Sequence, residues 1–478
     1  MTDVLVIAGS KSDAKIVRKA TRVLNDLSVS HIVEYASAHR EPERVREIVE
    51  DTEANVIIAI AGLAAALPGV VASLTEKPVI GVPVSAAIGG LDALLSIAQM
   101  PKGVPVATVG IDNGQNAAYL AARIMGVKPP HQAEVPQTYA EAGVEEEEVS
   151  KGLEVLGKYV RESFQYGEVM QDYGHYANTV KISDNLCIAL STDGVGSKVL
   201  VAEMAERYDT IGQDCVAMNV NDLISIGAMP IGFVDYLASK EPLPVQILEQ
   251  IGQSLLDACT ESGIPILGGE MAILPEIIQG ASDIALDLAG TAVGMAHPLK
   301  LIDGSAIENG DAILGVSSNG LHSNGFTLAR KVVFSSLNIN DKFPWGRNVS
   351  DELLRPTRVY VPHFRALREH GIEVRGVAHI TGSGFKKILR LHTARFKIKR
   401  FPDVPPIFSF LQKQGDIKWK EMFSTFNMGV GLIVIVSHSQ KQSAFQALSA
   451  LDETYDLGVV EKTDTPSVFI EPYGVELS

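Results

Sequence analysis

Apolar runs and helix-like stretches take turns from Val4 to about Met125, and this alternation restricts the fold more than any other feature of the sequence. Val4–Ala8, Val56–Ala61, Val79–Val82 and Val104–Val109 are continuous apolar runs, the pattern of strands covered on both faces. A further strand is predicted near His31–Tyr35, and helices over Ala14–Leu27 and Arg44–Thr52. Strand–helix repetition of this kind builds a parallel sheet between two helical layers, a three-layer α/β domain. Ligands of such sheets bind beyond the carboxyl ends of the strands, so the segments after each run are the candidates for chemistry.

The alternation stops after Gly126. Pro129-Pro130 cannot continue a helix and favours an extended spacer, so 1–127 is expected to be one domain and 128–140 a linker. The acidic run Glu145–Glu148 reads as a solvated helix start. Beyond it, strands are predicted at Ile188–Leu190, Ile231–Tyr236, Ile284–Val293, Ala312–Val316 and Leu432–Val436. Helices are predicted at Pro244–Ser262, Gly325–Val333 and Thr357–Glu369. Without strict repetition this part is expected to be an α+β body in two halves, 141–300 and 301–478. A chain of 478 residues is too long for one core in any case.

The 41 Lys and Arg against 57 Asp and Glu give a formal charge of −16, which argues against a nucleic-acid partner. Phosphate substrates remain compatible, because backbone N–H groups and a few cations can govern one pocket. Cys187, Cys215 and Cys259 are far apart with no CxxC pair, so buried packing thiols in a reducing compartment are expected. No apolar run approaches about 18 residues, and Met1-Thr2-Asp3 lacks the basic start of an export signal. A cytoplasmic enzyme without a membrane partner is expected.

Gly9-Ser10-Lys11-Ser12-Asp13 follows the first strand. Gly9 permits a sharp turn, and Ser10, Ser12 and Asp13 stand at a helix start whose N–H groups attract phosphate. G-x-G-x-x-G is absent, which argues against a dinucleotide site. A carboxylate repels bare phosphate but accepts ribose hydroxyls, so a ribose phosphate suits this loop best. Ser37-Ala38-His39-Arg40 ends the next strand, with an imidazole able to move protons near neutral pH and a guanidinium able to grip phosphate. A third loop, Ala61–Gly69, offers small side chains and exposed amides.

With Leu-Leu-Ser-Ile-Ala-Gln-Met-Pro at 94–101, these segments closely resemble the phosphoribosylaminoimidazole carboxylase family, including its N5-carboxyaminoimidazole ribonucleotide mutase branch, over about 3–126. The resemblance implies a flavodoxin-like domain in which Ser10, Ser12, Asp13, Ser37 and Arg40 hold a ribotide and His39 moves the proton at the imidazole C4. The carboxyl donor would be CO2/bicarbonate or a carbamate. Mutase-type members carry histidine where Ala66 stands here, which leaves the donor open, and also a non-catalytic role in assembly.

A second loop, Ser191-Thr192-Asp193-Gly194-Val195-Gly196-Ser197-Lys198, follows Cys187–Leu190. An acidic residue beside two glycines suits metal-bound phosphate, Lys198 adds positive charge, and the Walker pattern is absent. Asp193, Asp214 and Asp222 are read as carboxylates converging on glycine-rich loops, hard oxygens suited to Mg2+ bridging ATP phosphates. Ser317–Gly325 is another polar, glycine-bearing loop, with His322 available for proton work, and Gly268-Gly269-Glu270 and His379–Phe385 complete the set.

In order and spacing these segments closely resemble aminoimidazole ribonucleotide synthetase, the phosphoribosylformylglycinamidine cyclo-ligase family, over about 138–460. Ser-Thr-Asp-Gly-Val-Gly-Ser-Lys, Gly-Leu-His-Ser-Asn-Gly, Leu-Arg-Pro-Thr-Arg-Val-Tyr and Thr-Phe-Asn-Met-Gly-Val-Gly carry the likeness. The resemblance implies a dimer of α+β subunits, ATP held by Asp193, Gly194, Gly196, Lys198, Asp214 and Glu270, substrate held by Ser318, Ser323 and Asn324, and catalysis by His322. Asp172–Ala177 replaces a glycine-richer loop of common bacterial members, and Glu270 lacks the usual second glutamate after it.

The two resemblances imply consecutive reactions, the product at the second loop being the substrate at the first. A bifunctional, homo-oligomeric enzyme acting on ribonucleotides is expected. Two readings stand beside it: another ATP enzyme of the same superfamily, though no cysteine precedes Cys187 as selenophosphate synthesis would want, and a cyclo-ligase with a scaffold domain.

Overall fold

The computed structural model describes residues 3–27, 29–86, 88–127, 135–144, 146–282 and 284–478. The chain divides into two compact units, Met1–Glu134 and Val135–Ser478. Residues 128–134 of the expected linker, with its Pro129-Pro130, lie outside the described residues, as do Glu145 and the side chains of 146–148 in the acidic run.

In the first unit, strands β1 (Val4–Ala8), β2 (His31–Tyr35), β3 (Val56–Gly62), β4 (Val79–Val84) and β5 (Ala107–Thr108) alternate with helices α1 (Ala14–Asp26), α2 (Pro42–Asp51), α3 (Ala66–Ser73), α4 (Leu91–Ala98) and α5 (Gly114–Ile124). The sheet is parallel throughout, in the flavodoxin-like order β2-β1-β3-β4-β5. Alternate side chains feed two separate cores. Val4, Val6, Ile58, Ile60 and Val82 pack on α1 and α5, whereas Leu5, Ile7, Ile57, Ala59 and Val79 pack on the helices of the other face. Gly114 must be glycine, since a Cβ there would stand 2.4 Å from the Ile16 carbonyl oxygen. The strand predicted over Val104–Val109 shrinks to two residues, because Pro105 has no N–H for a ladder and the Val104 N–H turns back to the Pro101 carbonyl (3.1 Å).

The second unit holds two sheets that share one hydrophobic core. The first sheet has β6 (Asn178–Ser183), β7 (Leu186–Gly194), β8 (Met229–Ser239), β9 (Ile266–Ile273) and β10 (Leu286–Ala296) in the order β6-β7-β10-β8-β9. The second has β11 (Ala312–Ser317), β12 (Val374–His379), β13 (Arg395–Ile398), β14 (Val430–Val436), β15 (Thr454–Glu461), β16 (Ser467–Ile470) and β17 (Val475–Leu477) in the order β12-β14-β11-β15-β13-β16-β17. Helices α6 (Glu146–Ser163), α7 (Val199–Ala205), α8 (Ile211–Ser225) and α9 (Val245–Ser262) accompany the first sheet along the chain. Helices α10 (Phe326–Val333), α11 (Val349–Leu353), α12 (Val361–Glu369), α13 (Pro406–Gln414), α14 (Trp419–Thr425) and α15 (Lys441–Ser449) accompany the second.

Helix α8 is the element the sequence hides. All of its residues but Gln213 are buried, including Asp214, Asn219, Asn221 and Asp222, so it has no polar face to betray its period. Gly212 lets α9 lie against it, where a Cβ would meet the Leu255 nitrogen at 2.6 Å. The helix predicted from Thr357 begins only at Val361, because the stretch before it reaches α8: the Thr357 N–H donates to Asp214 Oδ1 (2.7 Å) and the Tyr360 N–H to Asn221 Oδ1 (2.8 Å).

Candidate functional site

The carboxyl ends of β1, β2, β3 and β4 surround a cleft of about 660 Å³ in the first unit. Its lining contains every residue that sequence reasoning proposed there: Ser10, Ser12, Asp13, Ser37, His39 and Arg40, with Ala66 opposite. Ser10 caps a single 3-10 turn, its Oγ accepting from the Ser12 N–H (3.2 Å). Ser12 Oγ donates to Asp13 Oδ1 (3.1 Å), and Arg40 Nη2 donates to the Gly9 carbonyl (3.3 Å), tying the second loop to the first. Burial pushes the Asp13 carboxyl up, against the hydrogen bonds from Ser12 and Ser10. His39 and Arg40 are exposed. The third loop carries strain: Leu63 and Ala65 have φ of 54° and 41°, in the left-handed region that side chains disfavour. Ser96 Oγ holds this loop through the Ala64 carbonyl (2.5 Å). Ser85, which the sequence reading missed, joins the lining from the end of β4, its N–H held by Asp112 Oδ1 (2.9 Å). Its only signal was its place directly after an apolar run.

In the second unit the structure brings some of the proposed residues together and separates others. Asp193 lies near the end of β7, where its Oδ1 accepts from the Gly194 N–H (2.8 Å), and Gly196 follows at φ 69°. Asp222 accepts from His379 (Nδ1 to Oδ1, 3.1 Å). Asn221 Nδ2 approaches His379 Nε2 (3.3 Å) and donates to the Arg358 carbonyl (2.8 Å). An amide donor at Nε2 leaves the imidazole proton on Nδ1, facing Asp222. Burial holds the Asp193 carboxyl up, and the neighbouring Asp222 charge adds to this.

The expected convergence of three carboxylates is corrected. Asp214 and Asp222 lie on one helix about 12 Å apart along its axis at 1.5 Å per residue. Asp214 is fully buried and committed to the fully buried Lys198 (2.7 Å) and to Thr357 Oγ1 (2.6 Å). Lys198 also donates to the Arg355 carbonyl (2.6 Å), so its charge is spent inside the protein rather than offered to phosphate. Among the described residues no group of three or more His, Cys, Asp or Glu side chains is arranged to hold a metal. Asp193 and Asp222 remain as a like-charged pair, which a divalent cation carrying phosphate oxygens and water would relieve.

His322 is fully buried, its Nε2 accepting from the Asn319 N–H (3.0 Å) and its Nδ1 without a partner among the described residues. Burial first, and His379 next, hold it well below the ordinary histidine range, so it is neutral at neutral pH. Around it, Ser318 Oγ meets Asn427 Oδ1 (2.9 Å), Ser323 Oγ meets Thr357 Oγ1 (3.1 Å), and Asn324 Nδ2 lies 3.7 Å from Met218 Sδ.

Glu270 does not join Asp193. It sits opposite Tyr236 on the exposed strand β9, bonded to its own neighbour's N–H at Met271 (3.0 Å). Period-two alternation puts Gly269 instead on the face that Asp235 occupies. There Gly269 pairs with Asp235, and Asp235 and Asp193 both pair with Gly290 of β10. Asp235 was missed, though a carboxylate inside the apolar run Ile231–Tyr236 was its signal.

Family models match for AIR carboxylase (residues 3–146), AIR synthase related protein, N-terminal domain (174–296), and AIR synthase related protein, C-terminal domain (308–471). Phosphoribosylformylglycinamidine cyclo-ligase of Thermococcus kodakarensis is 41% identical over 345 residues, covering 71% of this chain and 99% of the relative. The Pyrococcus furiosus protein of that name is 42% identical over 343 residues, with the same coverage, and that of Methanocaldococcus jannaschii 46% over 306 residues, covering 63% of this chain and 85% of the relative. Solved structures of E. coli HypE, a hydrogenase maturation protein, and of AaThiL complexed with AMPPCP and TMP match with TM-scores of 0.46 and 0.48, at 19% and 14% identity, covering 61% and 67% of this chain and 84% and 95% of theirs. The chain thus belongs to the phosphoribosylformylglycinamidine cyclo-ligase family through its second unit and joins to it a domain of the AIR carboxylase family.

Proposed function

We propose that the chain catalyses two consecutive steps of purine ribonucleotide synthesis. The second unit closes formylglycinamidine ribonucleotide to aminoimidazole ribonucleotide with ATP, and the first unit carboxylates that product to 4-carboxy-5-aminoimidazole ribonucleotide. The observation that carries the reading is the cleft of the first unit, with Ser10, Asp13, His39 and Arg40 around one space, in a chain whose other unit spans nearly the full length of cyclo-ligases.

For ring closure, the formyl oxygen attacks the terminal phosphorus of ATP, forming an O–P bond while the bond to ADP breaks. The amidine nitrogen then attacks the same carbon; inorganic phosphate leaves with the C–O electron pair and the nitrogen loses a proton. Asp193 and Asp222 are the residues to hold Mg2+, which would neutralise phosphate charge. The loop from Gly194 to Gly196 would approach the phosphates through its backbone, and Ser318, Ser323 and Asn324 would line the ribotide. Both His322 and His379 are buried and neutral at neutral pH, and His322 is the imidazole assigned to proton work in ring closure.

For carboxylation, C4 of the imidazole attacks the carbon of CO2, supplied as such or released from a carbamate when its C–N bond breaks; one C=O electron pair moves onto the carboxylate oxygen, and C4 loses its proton to His39, the only imidazole among the described residues lining the cleft. Arg40 would hold the ribotide phosphate, and Asp13 the ribose hydroxyls. The outward face of the first sheet of the second unit, with Leu190, Val234, Tyr236 and Leu267 exposed, suits a second copy of the chain.

Purified protein given formylglycinamidine ribonucleotide, ATP, Mg2+ and bicarbonate is expected to release ADP and accumulate carboxyaminoimidazole ribonucleotide. No ADP release sinks the cyclo-ligase reading. If aminoimidazole ribonucleotide accumulates with either bicarbonate or carbamate supplied, the first unit is an assembly domain instead, the second reading that Ala66 supports.

A further inference from the structure

The stretch Leu94-Leu95-Ser96-Ile97-Ala98-Gln99-Met100-Pro101 of the first unit takes part in no step of the chemistry described so far. It spans the end of α4 and the residues after it. Two of its side chains fasten this segment to the rest of the unit. A Cβ at Gly81 of β4 would stand 2.3 Å from Ile97 Cγ2, and one at Gly69 of α3 would stand 3.0 Å from Met100 Cε, so both glycines make room for it. Ile97 is buried, while Ser96 beside it stays at the surface.

Ser96 nevertheless makes a specific contact, its Oγ donating to the Ala64 carbonyl (2.5 Å) in the third loop of the cleft. That loop holds a conformation its residues disfavour. Leu63 and Ala65, on either side of Ala64, have φ of 54° and 41°, and neither is glycine. Within the loop the Ala65 N–H reaches the Gly62 carbonyl (3.0 Å). Among the described residues, the side chain that bonds the loop from outside is that of Ser96. Strained backbone persists only where its surroundings over-determine it. From Ala61 to Ala66 the loop offers a ligand only backbone, methyl groups and Leu63. Its contribution to the cleft therefore depends on where its peptide groups point, and the Ser96 bond fixes the peptide between Ala64 and Ala65.

We infer that Ser96 is a positioning residue of the first unit: it holds the strained third loop in the form that meets the reacting end of the ribotide, while Ser10, Asp13 and Arg40 take the ribose phosphate. The link to the reaction rests on the carboxylase reading; the hold on the loop does not. Ser96 touches no reacting atom, so its loss moves turnover rather than substrate binding.

The test compares the full chain as wild type, Ser96→Ala and Ser96→Thr by carboxylation kinetics, calorimetric melting and amide hydrogen exchange of residues 61–67. Ser96→Ala is expected to speed exchange in that segment by about 3- to 10-fold, the worth of one hydrogen bond. It is expected to lower the kcat of carboxylation by about 5- to 30-fold, with the KM for aminoimidazole ribonucleotide within about twofold of wild type. Alanine is the better helix former, so melting should stay at the wild-type temperature or rise. Ser96→Thr keeps a hydroxyl and is expected to restore both exchange and kcat. Unchanged exchange overturns the proposal whatever the kinetics. Faster exchange with kcat intact also overturns it, as does a loss that falls chiefly on KM or that threonine leaves in place. If wild type itself carboxylates nothing, the carboxylase reading fails, and exchange alone decides whether Ser96 holds the loop.

Discussion

In the first unit the groups proposed for chemistry stand on loops at the ends of parallel strands, with His39 and Arg40 exposed, only Ser37 buried, and few bonds among them. In the second, Lys198, Asp214, His322 and His379 are buried on or beside one central helix and bonded to one another's supports. The difference lies in who supplies the framework. A doubly covered sheet needs nothing from its loops to fold, so the loops are free to carry function. The second unit wraps its core around charges, and there a change in the site is also a change in the fold.

The largest expected effect is in the open site. His39→Asn is expected to lower carboxylation by about 10²- to 10⁴-fold, the contribution of general acid–base catalysis, while cyclo-ligase turnover and the melting curve stay as in wild type. Equal inactivity of wild type and variant in carboxylation would give the first unit to assembly. Lys198→Met turns the comparison round. Leaving Asp214 charged and unpaired inside the protein should destabilise the second unit by about 3–5 kcal/mol. Trp345 and Trp419 are the only tryptophans and both lie in the second unit, so the denaturant midpoint of tryptophan fluorescence reads that unit alone. An unchanged midpoint would abolish the contrast.

The same contrast explains what the sequence discloses. Strands buried on both faces appear as unbroken apolar runs, and the residues after them can only lie at the carboxyl edge. Ser10, Ser37 and His39 were therefore legible as neighbours despite being far apart along the chain. Helix α8 was illegible for the opposite reason: its buried Asp and Asn residues look like loop polarity unless their partners Lys198, Thr357, Tyr360 and His379 are known. Reading Asp214 as a metal ligand came from the same gap, because sequence cannot tell a carboxylate paired to a lysine from one waiting for a cation.

Acid should separate the units by a smaller margin. Burial pushes His363 down to about 4, against the Asp452 carboxylate that pulls it up. A base lowered in the folded state resists protonation there, so its contribution is complete above the unfolded value near 6.5 and is lost as pH falls through 4. That interval corresponds to about 3 kcal/mol at 1.36 kcal/mol per pH unit. His322 and His379, lowered by the same cause, act in the same direction, whereas the raised Asp193 acts in the opposite one. Tryptophan-detected stability should therefore fall between pH 6.5 and 4, and His363→Gln should flatten the fall. A profile equally steep in the variant would remove His363 from the account.

Ser10→Ala is the smallest change and the finest test of separability. Ser10 Oγ caps one short turn at an exposed edge, so losing it should cost about 0.5–1 kcal/mol of stability in the first unit. The same hydroxyl faces the cleft, and the loss of one neutral hydrogen bond to a ribotide should raise the KM of carboxylation by about 3- to 10-fold with kcat little changed. Ser323→Ala in the second unit removes a hydroxyl of the same kind, but one that meets Thr357, whose own hydroxyl and N–H hold Asp214. If the two sites differ as their surroundings indicate, the first variant moves KM with the fold intact, and the second moves cyclo-ligase activity and the tryptophan-detected midpoint together. Should Ser323→Ala change only KM, the hydroxyl belongs to the substrate rather than to the framework, and the division between open and buried sites runs through the second unit instead of between the two.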